Sequence, residues 1–187
     1  MRGMKGMDKD AIEKKAIEMM EDIGYVDNTD AIDVIEIAKK LGFEVGNAVL
    51  KDDVDGFILV EEGKSEILGI KTDKLIGVNS TRNLAWKRFI IAHEIAHYVL
   101  QYSKVNNNGM FAHRDHRKGK DEKENEADFF AANLLMPREK FEKKYIELSE
   151  KNLEEDDMII LLADKFVVTQ PMVERRIGEL ELNGQKK

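Results

Sequence analysis

At 187 residues, with 42% hydrophobic and 36% charged residues, the chain predicts one main domain with a buried core and a well-solvated surface. Its net charge of -7 disfavours non-specific binding to nucleic acid, and we expect a cytoplasmic protein because no stretch suits a signal peptide or a bilayer span. Cysteine is absent, which excludes disulfides and thiolate metal sites, so His, Asp and Glu must hold any metal.

Two helices are predicted before any strand. Apolar residues at helical spacing predict the first helix over residues 10–23. The second is predicted over residues 30–41, with Asn28 or Thr29 as its N-cap and Gly42 as its end. The side chains expected to form the apolar stripes of these helices are Ile12, Ala16, Ile17, Met20, Ile23, Ile32, Ile35 and Leu41.

A change of pattern between residues 43 and 77 predicts a small antiparallel sheet. Short apolar runs at 57–60, 67–70 and 75–79 alternate with glycine and other turn residues. Such runs, bounded by turn signals, are typical of strands joined by tight connections.

Helical patterns fill most of the chain that follows. They cover residues 81–101, 122–135 and 138–148, and a polar loop is predicted over residues 104–121. Two further helical patterns lie between residues 155 and 182. The order of helices, a small sheet and then helices predicts an α+β fold.

The predicted helix over residues 81–101 contains a metal-binding spacing, with His93, Glu94 and His97 in the pattern HExxH. Residues four apart on a helix share one face and lie about 6 Å apart along its axis, so both imidazoles can bind one Zn²⁺. Glu94 adds a carboxylate that can take a proton from bound water. A purely structural zinc site would not need that glutamate.

A catalytic zinc ion needs a third protein ligand, and the predicted helix over residues 122–135 offers two candidates. Glu124 and Asp128 share one face, so Glu124 could reach the metal while Asp128 accepts the second ring N–H of a ligand histidine. Glu126 is the alternative ligand. The apolar stripe expected to pack this helix on the core comprises Ala127, Phe130, Ala131, Leu134 and Leu135.

Segments 88–100 and 124–137 together resemble the ImmA/IrrE family of metallo-endopeptidases, which have a gluzincin-like HExxH site, and the likeness covers most of residues 25–137. The resemblance implies one catalytic Zn²⁺, with Glu124 as the third ligand and Glu126 as a solvated neighbour. It also implies a protein substrate, typically a DNA-binding repressor of the helix-turn-helix class.

The expected architecture is an α+β fold in which the small antiparallel sheet packs on a helical, zincin-like core. We predict a zinc metallopeptidase domain over residues 1–150 and a helical, helix-turn-helix-like tail over residues 151–187.

The residue that stabilises the oxyanion of peptide hydrolysis is not chosen by the sequence. His113 and His116 lie in the polar loop, where a solvated basic segment is the plainer interpretation because flexible loops make poor preorganised ligands. The functional interpretation is that one of these histidines, or Tyr98 or Tyr102, fills that role.

The tail has the pattern of a helix-turn-helix, with Thr169 as a suitable N-cap and Pro171 in the first turn of the second helix. It departs from the DNA-binding pattern at Val167, where a turn glycine is usual, and its acidic and basic residues are mixed. We therefore expect packing against the core rather than nucleic-acid binding. The second helix is expected to bury Val173, Ile177 and Leu180.

Two functions follow from these observations. The first is a zinc endopeptidase that cleaves a specific repressor, with Glu94 as general base for metal-activated water. The alternative is a non-catalytic metal-containing regulatory protein that binds DNA or a repressor partner through its helical tail. The presence of Glu94 favours the first, because a structural site has no use for it.

Overall fold

The computed structural model describes residues 8–26, 29–100, 109–114, 122–151 and 153–182. These residues form seven helices and four strands and confirm the α+β fold. In chain order the elements are α1 (Lys9–Asp22), α2 (Val34–Lys40), β1 (Glu44–Ala48), β2 (Val54–Ile67), β3 (Ile70–Asn79), α3 (Leu84–Leu100), β4 (Gly109–Arg114), α4 (Glu122–Leu135), α5 (Arg138–Ser149), α6 (Glu155–Phe166) and α7 (Gln170–Glu179). Within that part of the chain, no helix combines the length and the apolar character needed to cross a bilayer.

The four strands form one mixed sheet in the order β1-β3-β2-β4. β2 pairs antiparallel with β3 and β4, whereas β1 pairs parallel with β3, so the prediction of a wholly antiparallel sheet is wrong at β1. The connection from β1 to β2 passes the end of β3, which places β1 on the far side of β3. Buried Asn79 fixes that connection, because its side-chain amide donates to the carbonyls of Lys51 (3.3 Å) and Val54 (2.8 Å).

β4 lies inside the predicted polar loop over residues 104–121, so that prediction is wrong for residues 109–114. The strand pairs antiparallel with β2, with Gly109 opposite Val60 and Arg114 opposite Val54. Pairing with an existing strand supplies partners for the backbone of this segment, and such tertiary contacts override weak local preference.

α2 begins at Val34 and is shorter than predicted, because Asp33 provides its N-cap. The Asp33 carboxylate accepts the backbone N–H groups of Ile35 and Glu36, each at 3.0 Å. Thr29, predicted as a possible cap, instead donates its hydroxyl to the carbonyl of Ala31. Asn28, the other candidate, lies outside the described residues.

Contrary to the prediction, Ile17 and Ile35 do not face the core, since 46% of the Ile17 surface and 44% of the Ile35 surface are exposed. Both lie at the margin of their helix's apolar stripe, where a hydrophobic side chain at helical spacing can still point to solvent. The remaining members of the two stripes are buried or pack against the core, namely Ile12, Ala16, Met20, Ile23, Ile32 and Leu41.

α3 is the central element of the molecule, because it is buried on nearly every side and packs against α4 and one face of the sheet. That face contributes Ile58, Ile76 and Val78 to a core shared by all seven described helices. The opposite face buries a smaller cluster of Ala48, Phe57, Leu59 and Leu75.

The C-terminal helices belong to the same core. The α7 stripe predicted from the sequence is buried, and so are Met158, Leu162 and Phe166 of α6. The expected packing of the tail on the core is therefore confirmed, while the division of the chain at residue 150 stays a prediction. The buried residues of that stripe are Val173 and Ile177 of α7 and Leu180, which follows the helix.

Candidate metal centre

Two imidazoles lie side by side on the inner face of α3. His93 and His97 are one helical turn apart, both are buried, and their Nε2 atoms lie 2.9 Å from each other. Two imidazole nitrogens that converge in this way can bind one metal ion from the same side.

Glu124 of α4 completes the group from the opposite side. Its two carboxylate oxygens lie 3.3 Å from His93 Nε2 and 3.4 Å from His97 Nε2. Ligand atoms of a tetrahedral zinc ion, bonded at about 2.0–2.1 Å, are about 3.3 Å from one another, so these spacings fit a single ion. Among the described residues, the group of histidine and carboxylate side chains that lie close enough to bind one metal ion contains Glu124 and not Glu126.

The charge of the Glu124 carboxylate matches this arrangement. Burial alone raises the pKa of Glu124, but hydrogen bonds from His93 and His97 and their charges outweigh it. The pKa of Glu124 therefore lies well below its usual range, and the side chain is an anionic oxygen donor. Two imidazoles and one carboxylate are a common donor set of catalytic zinc.

Asp128 lies behind the first histidine, as predicted. Its Oδ1 is 3.0 Å from His93 Nδ1, and only 1% of its surface is exposed. A carboxylate that accepts the Nδ1 proton leaves the Nε2 lone pair of the ring for a metal. Asp128 thus orients His93 toward Glu124 and His97.

Glu94 is fully buried on α3, and β2 approaches it through Gly56. A Cβ built on Gly56 would lie 3.5 Å from Glu94 Oε1 and only 2.4 Å from Ile90 Cγ2. Glycine therefore allows the strand to lie against the helix beside Glu94. From the sequence, Gly56 marks only a turn, and no local signal distinguishes a turn glycine from one required by helix–strand packing.

A second polar cluster positions the start of α3. Asp55, which is 2% exposed, accepts Arg82 Nε at 2.6 Å and Trp86 Nε1 at 3.3 Å. The Trp86 ring stacks on Phe89, whose ring centroid lies 6.1 Å from that of His93. The sequence did not reveal this cluster, because Asp55 and Arg82 meet only through the packing of β2 against α3.

The structure describes only some of the residues proposed to stabilise the oxyanion. Tyr102 and His116 lie outside the described residues, and for His113 only the backbone is described, in β4 opposite Gly56. The Tyr98 hydroxyl accepts Lys74 Nζ at 2.9 Å, which places it in a packing cluster at the end of α2.

Comparison with known proteins agrees with this geometry. The family model described as the IrrE N-terminal-like domain, of peptidase family M78, matches residues 44–177. A Mycobacterium tuberculosis transcriptional regulator has a similar fold, with a TM-score of 0.57 and 17% identity over 95% of this chain and 49% of that one. This chain thus spans about half the length of that regulator, and no curated protein matches its sequence. The chain belongs to the ImmA/IrrE peptidase family.

Proposed function

We propose that the protein is a zinc-dependent endopeptidase that cleaves a specific protein, a DNA-binding repressor, in the cytoplasm. The observation that supports it most strongly is the convergence of His93, His97 and Glu124 at spacings that suit one zinc ion. Membership of a peptidase family supports the reaction type. The narrow substrate range rests on the family likeness of the two motifs.

Each residue of the centre has a distinct role in this proposal. His93 and His97 would bind the ion through Nε2 and Glu124 through its carboxylate, and the ion would also bind a water molecule. A zinc ion held there would lower the pKa of that water and polarise the scissile carbonyl. Glu94 would accept a proton from the attacking water and donate it to the leaving amine. No covalent intermediate on the chain is required, in accord with the absence of cysteine.

The tail gives little support to the alternative function of DNA binding. Arg176 is fully buried, and its guanidinium contacts Met136 and Asn133 in the core. Arg175 lies 3.6 Å from the carboxylate of Asp128. Arg176 is thus buried and the half-exposed Arg175 faces a buried carboxylate, whereas nucleic-acid binding needs such side chains on phosphates.

Replacement of Glu94 by Gln tests the proposal. Glu94→Gln is close in size and should keep the fold and about one zinc per chain, because Glu94 is not among the proposed ligands. It should lower cleavage by at least about 100-fold, because the proton acceptor is lost. Zinc is measured by elemental analysis, and cleavage of repressors encoded beside this gene is followed by mass spectrometry.

Glu126→Gln is the matched control, because it makes the same change on the helix that supplies Glu124 and should cleave like the wild type. Cleavage by Glu94→Gln at the wild-type rate would exclude Glu94 as the base. Stoichiometric zinc without cleavage of any neighbouring repressor would favour the non-catalytic alternative.

A further inference from the structure

Helix α7 reaches the metal centre through one side chain, Arg175. Its Nη1 lies 3.6 Å from Asp128 Oδ2, while the other carboxylate oxygen, Oδ1, lies 3.0 Å from His93 Nδ1. The two oxygens of Asp128 therefore face different partners. One partner is a proposed zinc ligand, and the other belongs to the C-terminal tail.

We infer that Arg175 is a positioning residue of the metal centre, which acts on His93 through Asp128 and makes α7 an integral part of the site. The inference rests on the proposed zinc site. It assigns a role in metal binding to a helix whose sequence pattern resembles a DNA-binding motif.

Arg175 is itself held in place by Glu179, one turn further along α7. Arg175 Nε donates to Glu179 Oε1 at 2.9 Å, and only 10% of the Glu179 side chain is exposed. The guanidinium has a planar set of donors, so it can contact Glu179 and Asp128 at the same time. The half-exposed Arg175 side chain thus has a defined direction toward Asp128.

The helix that presents Arg175 is anchored to α4 by a buried neighbour. Arg176 donates Nη2 to Asn133 Oδ1 at 2.8 Å and Nε to the Met136 carbonyl at 3.1 Å. Asn133 Nδ2 in turn donates to the Phe129 carbonyl at 2.8 Å, which fixes the amide with its oxygen toward Arg176. α7 therefore contacts α4, the helix that supplies Glu124, at Asn133 through Arg176 and at Asp128 through Arg175.

The contact between Arg175 and Asp128 has two physical effects. The positive charge offsets part of the cost of burying the Asp128 carboxylate, and the attraction, which at 3.6 Å is an ion pair rather than a hydrogen bond, favours the orientation of that carboxylate with Oδ2 toward Arg175. With Oδ1 then toward His93, the carboxylate holds that ring with Nε2 toward its fellow ligands. Removal of partners behind a metal-bound histidine typically weakens metal binding by about 10- to 100-fold.

The experiment measures the zinc dissociation constant by competition with a chelator of known affinity, without any substrate. Arg175→Gln should weaken zinc binding less than removal of the Asp128 carboxylate would, because Arg175 is half-exposed and contacts His93 only through Asp128. We expect a weakening of about three- to tenfold. Arg175→Lys keeps the charge but not the fork of donors, so its constant should lie between those of Arg175→Gln and the wild type.

Arg138→Gln is the matched control. Arg138 is similarly exposed, at 41% of its side chain, and forms its ion pairs with Glu13 at 2.9 Å and Glu142 at 3.5 Å rather than with Asp128 or a proposed ligand. Its zinc affinity should equal that of the wild type. ¹⁵N spectra of the histidine rings in the metal-free protein give an independent measurement, because loss of the Arg175 contact should alter the His93 Nδ1 signal while Arg138→Gln should not.

The outcomes separate this inference from the proposed function. Equal zinc affinity and unchanged His93 signals in Arg175→Gln and the wild type would overturn the inference alone. An equal loss of zinc affinity in Arg138→Gln would also overturn the inference, since the loss would then reflect the change in net charge. If Arg175→Gln does not fold, weaker binding by Arg175→Lys than by Arg138→Gln supports the inference and equal binding overturns it. A wild-type protein that binds no zinc would overturn both.

Discussion

At the scale of single residues, Gly56 shows how closely the sheet approaches the candidate site. An added Cβ would lie 2.4 Å from Ile90 Cγ2 and 2.9 Å from the Gly77 carbonyl oxygen, and the second contact is with backbone that cannot rotate away. Gly56→Ala should therefore lower the free energy of unfolding by about 1–3 kcal/mol. Urea denaturation followed by circular dichroism measures the change.

Gly178 of α7 provides the comparison, because a Cβ built there meets nothing within 4 Å. Gly178→Ala should raise the free energy of unfolding by about 0.5–1 kcal/mol, since alanine is the better helix former and restricts the unfolded chain. Equal urea midpoints for the two variants would contradict the prediction, because they would show that α3 and β2 can move apart at Gly56 at little cost in free energy.

At the scale of elements, the turn between α6 and α7 contains a strained residue. Val167 adopts φ 50° and ψ 55°, a left-handed conformation that is unfavourable for a β-branched side chain. Arg88 Nε donates to the Val167 carbonyl at 3.1 Å and so holds the turn against α3. The chain thus has valine at the position where a DNA-binding helix-turn-helix usually has glycine, and the backbone conformation there is one that suits glycine.

Val167→Gly should relieve this strain and raise the free energy of unfolding by up to about 1 kcal/mol, after the loss of some side-chain burial is counted. Val168→Gly is the control, because Val168 is 5% exposed in the core and has φ outside the left-handed region. That variant should be destabilised. Thermal denaturation of both proteins checks the prediction, and a lower melting temperature for Val167→Gly would contradict it.

The elements that the sequence predicted correctly are those with strong local patterns. The buried stripe of α4 and the HExxH spacing on α3 follow from the period of the helix, which neighbouring residues alone determine. The parallel pairing of β1 and the existence of β4 depend on strands distant in the chain, so no window of sequence contains them. The cap of α2 was misplaced because several Asx and Thr residues in that segment could serve equally well by type.

The same distinction applies to the candidate site. His93, Glu94 and His97 lie within one turn, and Glu124 and Asp128 within another, so spacing and family likeness were sufficient to propose them as members of one site. The contact of Arg175 with Asp128 joins residues far apart in the chain. Charge and spacing within α7 gave no indication of that contact, because an exposed arginine on a helix is ordinarily a solvated surface residue.

At the scale of the whole molecule, the proposed ligands connect the two central helices of the core. His93 and His97 come from α3, Glu124 comes from α4, and the same core includes residues of α6 and α7. An ion bound by both helices restrains their relative position. Because the unfolded chain does not hold these groups together, the free energy of metal binding adds to the free energy of folding.

Zinc should therefore raise the melting temperature of the whole molecule. Free zinc at about 100 times its dissociation constant adds about 2.7 kcal/mol, which corresponds to about 5–10 °C for a chain of this size. Differential scanning calorimetry with zinc or with a chelator measures the shift. The shift should be smaller near pH 5.5 than near pH 7.5, because protons compete with zinc for the imidazoles.

The sign of this pH dependence follows from the ligand set. The pKa of Glu124 lies below its usual range, so the contribution of its carboxylate is present above the unfolded pKa and is lost only in stronger acid. Protonation of Glu124 therefore contributes nothing to the difference between pH 7.5 and pH 5.5. His97→Ala is the control, and zinc should leave its melting temperature unchanged at either pH. A shift of equal size in this variant would show that zinc stabilises the protein from another site.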